Sequence, residues 1–268
     1  MSGEGLLIRQ YAYQHWTVSS IFIRGAVMIE FDKVSDFFSG FYEFKPRDEF
    51  IYLDFHLHTT ASDCFTTFPF LHEFLKREKH LISITDHNEI RGAVAAYEAG
   101  INNVPGIELG CEDGFDVLVY FKEIADLEAF YRREVEGNKH RSRMKRTNKD
   151  IYYYLDLLAE RQCYLSIPHI NGFAQKNYLK NMSYIKHILN RVDAIETYNH
   201  TLPKNRNINA QIIRRAYQLE ATFGSDVYLN NELRSFYRLL NNEERRHRKL
   251  MDNLYKLPMI SGAKYLIS

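Results

Sequence analysis

A chain of 268 residues, 45% hydrophobic and 26% charged, is long enough to bury a substantial core and has the balance of an ordinary globular protein. Its formal net charge of +1 excludes a partner held by bulk electrostatics, such as undifferentiated nucleic acid or an anionic membrane, so any anion binding must come from local patches. Three cysteines, Cys64, Cys111 and Cys163, make no disulfide framework and predict a reducing, cytoplasmic setting, with neither a secretory leader nor a membrane span.

Residues 1–49 read as a β-rich extension, with strands over Tyr11–Val18 and Ile21–Phe31 and a short helix or turn over Asp36–Phe44. It holds no cluster of chemically useful side chains. Plugging a barrel, adding an edge hairpin and making a dimer contact all remain open, and so does the oligomeric state. From residue 50 short β-type runs recur at Phe50–Phe55, Leu81–Thr85, Val104–Leu109, Phe115–Phe121, Cys163–Pro168, Val192–Tyr198 and Ala221–Gly224. Helical patterns fall between most of them, at Phe70–Lys79, Glu89–Ala99, Ile124–Glu160, Gln175–Asn190 and Asn205–Leu219. Strands alternating with helices predict parallel strands joined by right-handed crossovers, and seven of them predict a closed or nearly closed barrel. Residues 50–230 therefore read as one α/β domain, with 231–268 a charged C-terminal helix and tail packed on it. Two basic runs stand out. The one at 243–249 reads as a solvated helix face; that at Lys139–Arg146 reads either as a surface helix or as a patch steering an anionic substrate.

The chemistry collects at the strand ends. Side chains alternate along a strand, so His56 and His58 share a face. Two imidazoles on a stiff backbone are half of a metal site, or two ordinary polar residues. The remaining strand ends decide between these. Asp86 and His87 end the second strand, Glu108 the third, His169 the fifth, Glu196 and Asn199 the sixth and Asp226 the seventh, while Asp116 begins the fourth. Barrel active sites are built at the carboxyl ends of strands, and four histidines with several carboxylates spread over nearly every such end are hard to explain as chance and favour the metal-site reading. No Gly-x-Gly-x-x-Gly or Walker-type loop indicates a nucleotide cofactor.

The ordered series His56-x-His58 with Ser62-Asp63, Thr85-Asp86-His87-Asn88, Gly106-x-Glu108, Pro168-His169, Glu196-x-x-Asn199 and Gly224-Ser225-Asp226 resembles the PHP (polymerase and histidinol phosphatase) superfamily. The match runs from Asp54 to Asp226, about two thirds of the chain. The resemblance implies a distorted (β/α)7 TIM-like barrel carrying two or three divalent ions, Mn, Fe or Zn with Mg also open, and hydrolysing phosphate mono- or diesters. It assigns His56, His58, Glu108 and Asp226 to one ion, His169 and Asp116 to a second bridged by Glu108, and Asp63, His87 and position 228 to a third. His87, His169 and Asp226 are the residues it implies for turnover. Asp86, Asn171, Glu196, Asn199 and Tyr228 are expected around that set, orienting ligands or touching substrate. Cys64, beside the site, reads as a bystander thiol because no base is committed to it.

Two positions depart from the family pattern. Asp116 stands where relatives carry His, and Tyr228 where they carry the His of Gly-Ser-Asp-x-His. An oxygen ligand at 116 favours harder cations, and Tyr228 predicts a weakened or empty third position. The substrate is expected to be a small phosphorylated compound or a nucleotide or oligonucleotide. Two other readings stay open: a barrel that has lost turnover and serves as a binding module, and a hydrolase of a non-phosphate bond.

Overall fold

The computed structural model describes residues 52–76, 80–143, 145–172 and 182–241. The features expected over residues 1–49 and the charged run 243–249 lie outside them. Within them are seven strands, β1 (Tyr52–Leu57), β2 (His80–Ile84), β3 (Gly106–Gly110), β4 (Asp116–Phe121), β5 (Cys163–Ile167), β6 (Ala194–Asn199) and β7 (Glu220–Gly224), near the positions predicted. The helices are α1 (Phe68–Leu75), α2 (Arg91–Glu98), α3 (Ile124–Phe130), α4 (Ile151–Leu158), α5 (Met182–Leu189), α6 (Lys204–Tyr217) and α7 (Asn230–Asn241). None of the described helices is long and apolar enough to cross a membrane.

The uniformly parallel barrel is not what forms. β1 and β2 make a parallel pair, and β3-β4-β5-β6-β7 make a second sheet in which β3–β4 and β4–β5 are antiparallel. The cause at β3–β4 is length. Only residues 111–115 join them, and a parallel crossover needs about a dozen or more. The strands follow one another in a ring, but its two seams carry no continuous ladder. Single bridges, His87 to Glu108 and Ile82 to Asn103, join the β2 side to the β3 side. At the other seam the Asp226 N–H donates to the His56 C=O at 2.7 Å, joining β7 to β1. Among the described residues the hydrogen-bonded sheet does not close.

The helical stretch predicted over Ile124–Glu160 is also broken. α3 runs on into a π-helical turn (Tyr131–Val135) and a 3-10 turn (Glu136–Asn138), and the chain then leaves helical geometry around Gly137 and Asn138. α4 starts afresh at Asp150, whose carboxylate caps the Tyr153 N–H at 2.8 Å. Between them, the described residues 139–143 and 145–149 are non-helical and are drawn together by an antiparallel bridge from Lys139 to Thr147 and by the His140 N–H donating to the Arg146 C=O. The basic run is therefore on a loop and not on a helix. α1 begins at Phe68, two residues earlier than its apolar stripe implies, because Pro69 is tolerated in a first turn and Thr67 caps the Phe70 N–H.

The core lies between the strands and the surrounding helices. Phe55 meets Phe223 edge-on at 5.2 Å, and the Tyr120 hydroxyl donates to the Phe55 C=O at 2.7 Å. α7 covers β1 through the buried Leu233 and Phe236, the latter 6.0 Å from the Tyr52 ring. These contacts hold β1 firmly under the residues that follow it.

Candidate metal centre

β1 delivers His56 and His58 to one face with their Nε2 atoms 3.1 Å apart. The Glu108 carboxylate from β3 sits against both, its Oε2 at 3.3 Å from His56 Nε2 and 3.2 Å from His58 Nε2. The same oxygen lies 3.1 Å from His87 Nδ1, and Oε1 lies 3.1 Å from His169 Nε2. Asp226 Oδ1 completes the cluster at 3.6 Å from His56 Nε2 and 3.3 Å from His58 Nε2. Four sets of three donors lie within ligand reach of one another: His56–His58–Glu108, His56–His169–Asp226, His58–Asp63–His87 and His87–Glu108–Asp116. All eight residues expected as ligands fall in these sets.

The backbone is bent to aim them. His169 (φ 32°), Asp226 (φ 48°) and Asn88 (φ 50°), all non-glycine, adopt left-handed conformations at the site. Such residues cost about 1–3 kcal/mol each and persist only where their surroundings hold them. Here they are held. The His169 N–H donates to Glu196 Oε2 at 2.7 Å, the Asp226 N–H to the His56 C=O, and the Asn88 N–H to the Glu108 C=O at 2.9 Å.

A second layer orients His56 and Asp226. Glu196 Oε1 accepts from His56 Nδ1 at 2.8 Å, which turns Nε2 of the ring toward the cluster. Asn199 Nδ2 donates both to Glu196 Oε2 (3.0 Å) and to Asp226 Oδ2 (2.9 Å). Asn199 is buried and braces these two carboxylates. Asp86 holds the loop after β1, accepting from the Thr59 N–H (2.6 Å), the Thr59 hydroxyl (2.7 Å) and the Ser62 hydroxyl (2.8 Å). Its hydrogen bonds hold the backbone that leads to Asp63, and His58 acts on its charge. Asn171 is buried beside His169, its C=O accepting from Arg206 at 2.8 Å. Cys64 is buried, its thiol near the Val227 and Tyr228 carbonyls and pushed up by burial, as befits an inert thiol.

The protonation of the cluster is a contest between burial and charge. Burial alone pushes every ring towards neutrality. In His58 it is outweighed by Asp226 and Glu108, and in His169 by Glu108, so both are raised to about 9. His56 is raised well above the usual range because Glu196, Asp226 and Glu108 together overcome its burial. His87 goes the other way: burial prevails over Glu108 and holds it neutral, down to about 3. Glu108 and Asp226 stay ionised well below the usual carboxylate range; burial opposes this, but the surrounding histidines win.

The donors fit a cation. The Nε2 atoms of His56 and His58, both raised, face each other at 3.1 Å as two donors, while Asp226 Oδ1 is buried without a hydrogen bond. Buried imidazole nitrogens and carboxylate oxygens converging in this way make a divalent-metal donor set.

Two cations that individual motifs did not reveal come from the 139–149 loop. Arg146 pairs with Asp116, whose carboxyl burial and Glu108 push up to about 6 against the Arg146 charge. Lys145 pairs with Asp63 and donates to the Tyr228 hydroxyl at 3.0 Å, its ammonium 4.7 Å from the ring centroid. The basic run was the visible signal, but nothing in its spacing distinguished Lys145 and Arg146 from the exposed Arg141 and Arg143. Asp54 was also missed as a positioning residue. Buried in β1, it accepts from the Ser225 N–H at 2.8 Å and from the Tyr52 hydroxyl at 2.7 Å, pinning the β7 loop. A cavity of about 250 Å³ opens over the cluster, bordered by His87, Asp116, Lys145, Arg146, His169, Asp226 and Tyr228.

Three solved structures share the fold. The chain aligns with the lesion-specific endonuclease PfuEndoQ from Pyrococcus furiosus at TM-score 0.53 and 13% identity, over 71% of this chain and 55% of that one, so it spans about half of that protein. It aligns with an amidohydrolase from Chromobacterium violaceum, solved with bound sulfate and no metal, at TM-score 0.51 and 14% identity, covering 67% and 88% of the two chains. With a protein from Bifidobacterium adolescentis assigned as a metal-dependent phosphoesterase the values are 0.50 and 14%, covering 75% and 99%. No family model and no curated protein sequence matches the chain. At these identities the likeness is one of fold.

Proposed function

We propose that the protein is a metal-dependent phosphoesterase. The observation that carries the reading is the coexistence, on one cavity, of a buried His/Glu/Asp cluster with two side-chain cations, Lys145 and Arg146. His56, His58, Glu108, His169 and Asp226 would hold the divalent ions. Bound there, such ions supply a hydroxide nucleophile near neutral pH and offset charge on phosphoryl oxygens. The chain's own residues do the rest. Glu196 keeps His56 Nε2 turned inward, and Asn199 holds Glu196 and Asp226 in register. Lys145 and Arg146 draw an anionic group into the cavity, where the neutral His87 borders it.

At about 250 Å³ the cavity is at the small end of ligand sites, which run from about 300 Å³ upward. It suits a phosphoryl group and its immediate neighbours, with the remainder of a larger substrate outside. Arg141 and Arg143, exposed and a few residues before Lys145 and Arg146 in the chain, add positive charge to this basic run, which favours a nucleotide or oligonucleotide ester. The same two cavity cations favour phosphate over the carbonyl bond of an amidohydrolase substrate.

The test is a panel of p-nitrophenyl phosphate mono- and diesters with Mn²⁺, run on protein purified without chelator and on Asp226→Ala. Turnover is expected in the parent, abolished by chelation and reduced on the order of 100-fold or more in the variant, the scale of a lost metal-site residue. Equal rates in variant and parent would mean the site is misassigned. Less than about one tightly held ion per chain would overturn the enzyme reading in favour of a binding module.

A further inference from the structure

Two of the four donor sets are already served by cations of the chain itself. The set His58–Asp63–His87 depends on Asp63, and the Lys145 ammonium is paired with that carboxylate. The set His87–Glu108–Asp116 depends on Asp116, and the Arg146 guanidinium is paired with that one. Both sets contain His87. The other two, His56–His58–Glu108 and His56–His169–Asp226, contain no residue paired with a lysine or arginine in the described structure. The division is spatial as well as chemical, because Lys145 and Arg146 enter side by side on one loop.

That loop is seated by close approach, not laid loosely on the surface. The Thr147 N–H donates to the Gly110 C=O at 2.7 Å, and a Cβ on Gly110 would lie 1.7 Å from the Lys145 carbonyl oxygen. Only glycine at 110 lets the loop come this near. Lys145 is then fixed from three directions: its backbone against β3, its ammonium on Asp63, and the same ammonium on the Tyr228 hydroxyl and ring. Tyr228 is itself a weak ligand for a divalent ion but a good acceptor for an ammonium. The Lys145 ammonium takes Asp63 Oδ2, and its charge lies beside any metal ion bound through the same carboxylate, so it opposes metal binding there.

We propose that Lys145, with Arg146 beside it, is a built-in cation that occupies the His87 side of the cluster and confines metal ions to the inner donors. This rests on the reading of the cluster as a metal centre. The consequence is a lower metal count than the number of donor sets suggests.

The experiment is metal stoichiometry. Protein prepared without chelator is saturated with Mn²⁺, desalted and measured by inductively coupled plasma mass spectrometry for the parent, Lys145→Met, Lys145→Gln and the double variant Lys145→Met/Asp63→Asn. Each single variant is expected to hold one more ion per chain than the parent, and the double variant to return to the parent value, which places the gained ion on Asp63. Single variants with the parent's ion count would overturn the inference alone. A double variant that keeps the extra ion would also overturn it. A parent holding less than one ion per chain would overturn the underlying metal reading and this inference with it.

Discussion

Glu108→Gln isolates what the central carboxylate contributes, because the substitution keeps shape and removes charge. Glu108 has no solvent exposure and contacts His56, His58, His87 and His169 at 3.1–3.3 Å, so solvent screening gives no discount. Without metal at pH 7, His58 and His169 are protonated in the folded chain, being raised to about 9. Removing their shared anion leaves that buried positive charge balanced only in part, by Asp226 and Asp116. Breaking a buried ion pair from one side costs about 3–5 kcal/mol. In a protein of this size each kcal/mol shifts the melting temperature by about 2–4 °C, so the metal-free variant should melt about 6–20 °C below the parent. The assay is thermal and urea unfolding of chelator-treated protein at pH 7, followed by Mn²⁺ titration. The variant should also lose tight metal uptake. A metal-free Glu108→Gln protein within about 1 kcal/mol of the parent would refute the picture of one carboxylate balancing several charged rings.

Two further outcomes follow from the same geometry. His58 and His169 have folded values raised above their ordinary value of about 6.5, so their stabilising contribution to the metal-free protein is full below about pH 6.5 and lost as pH rises through about 9. Metal must displace those protons, so Mn²⁺ addition at pH 7.5 should release protons, read by calorimetry in buffers of different ionisation enthalpy; no buffer dependence would contradict this assignment. Gly224→Ala would place a Cβ 2.3 Å from His56 Cβ and 2.6 Å from its backbone nitrogen, forcing β1 and β7 apart at a cost of about 1–3 kcal/mol and weakening metal uptake through His56; unchanged melting and unchanged metal content would show that this approach is not tight.

The strands and the ligand cluster were legible because both depend on short-range signals: β-type runs, and rare residue types placed at the end of each run. Strand direction was partly legible. The five residues between β3 and β4 already forbid a crossover, but the alternation of the other elements argued for parallel strands, and the shorter signal was outweighed. The fate of Lys139–Arg146 was not legible. A basic run looks the same on a solvated helix and on a loop folded over a cavity, and the deciding contact is with Gly110, some 35 residues away, through a Cβ that is missing. Asp54 escaped notice as a site residue for a related reason, since only the distant Ser225 reveals what its carboxylate holds.

The two interrupted seams give the centre a mechanical meaning. His56, His58 and His87 belong to the β1–β2 ribbon, whereas Glu108, His169 and Asp226 belong to the five-stranded sheet, and isolated backbone contacts join the two. Ions bound as proposed would act as rivets across both seams, turning an open staple of strands into a hoop. Depletion would then loosen the ribbon as a unit, and backbone amides along β1 and β2 would exchange with solvent together, ahead of those in β4 to β6. Among the described residues the ring is unfinished at the places where ions bound as proposed would finish it.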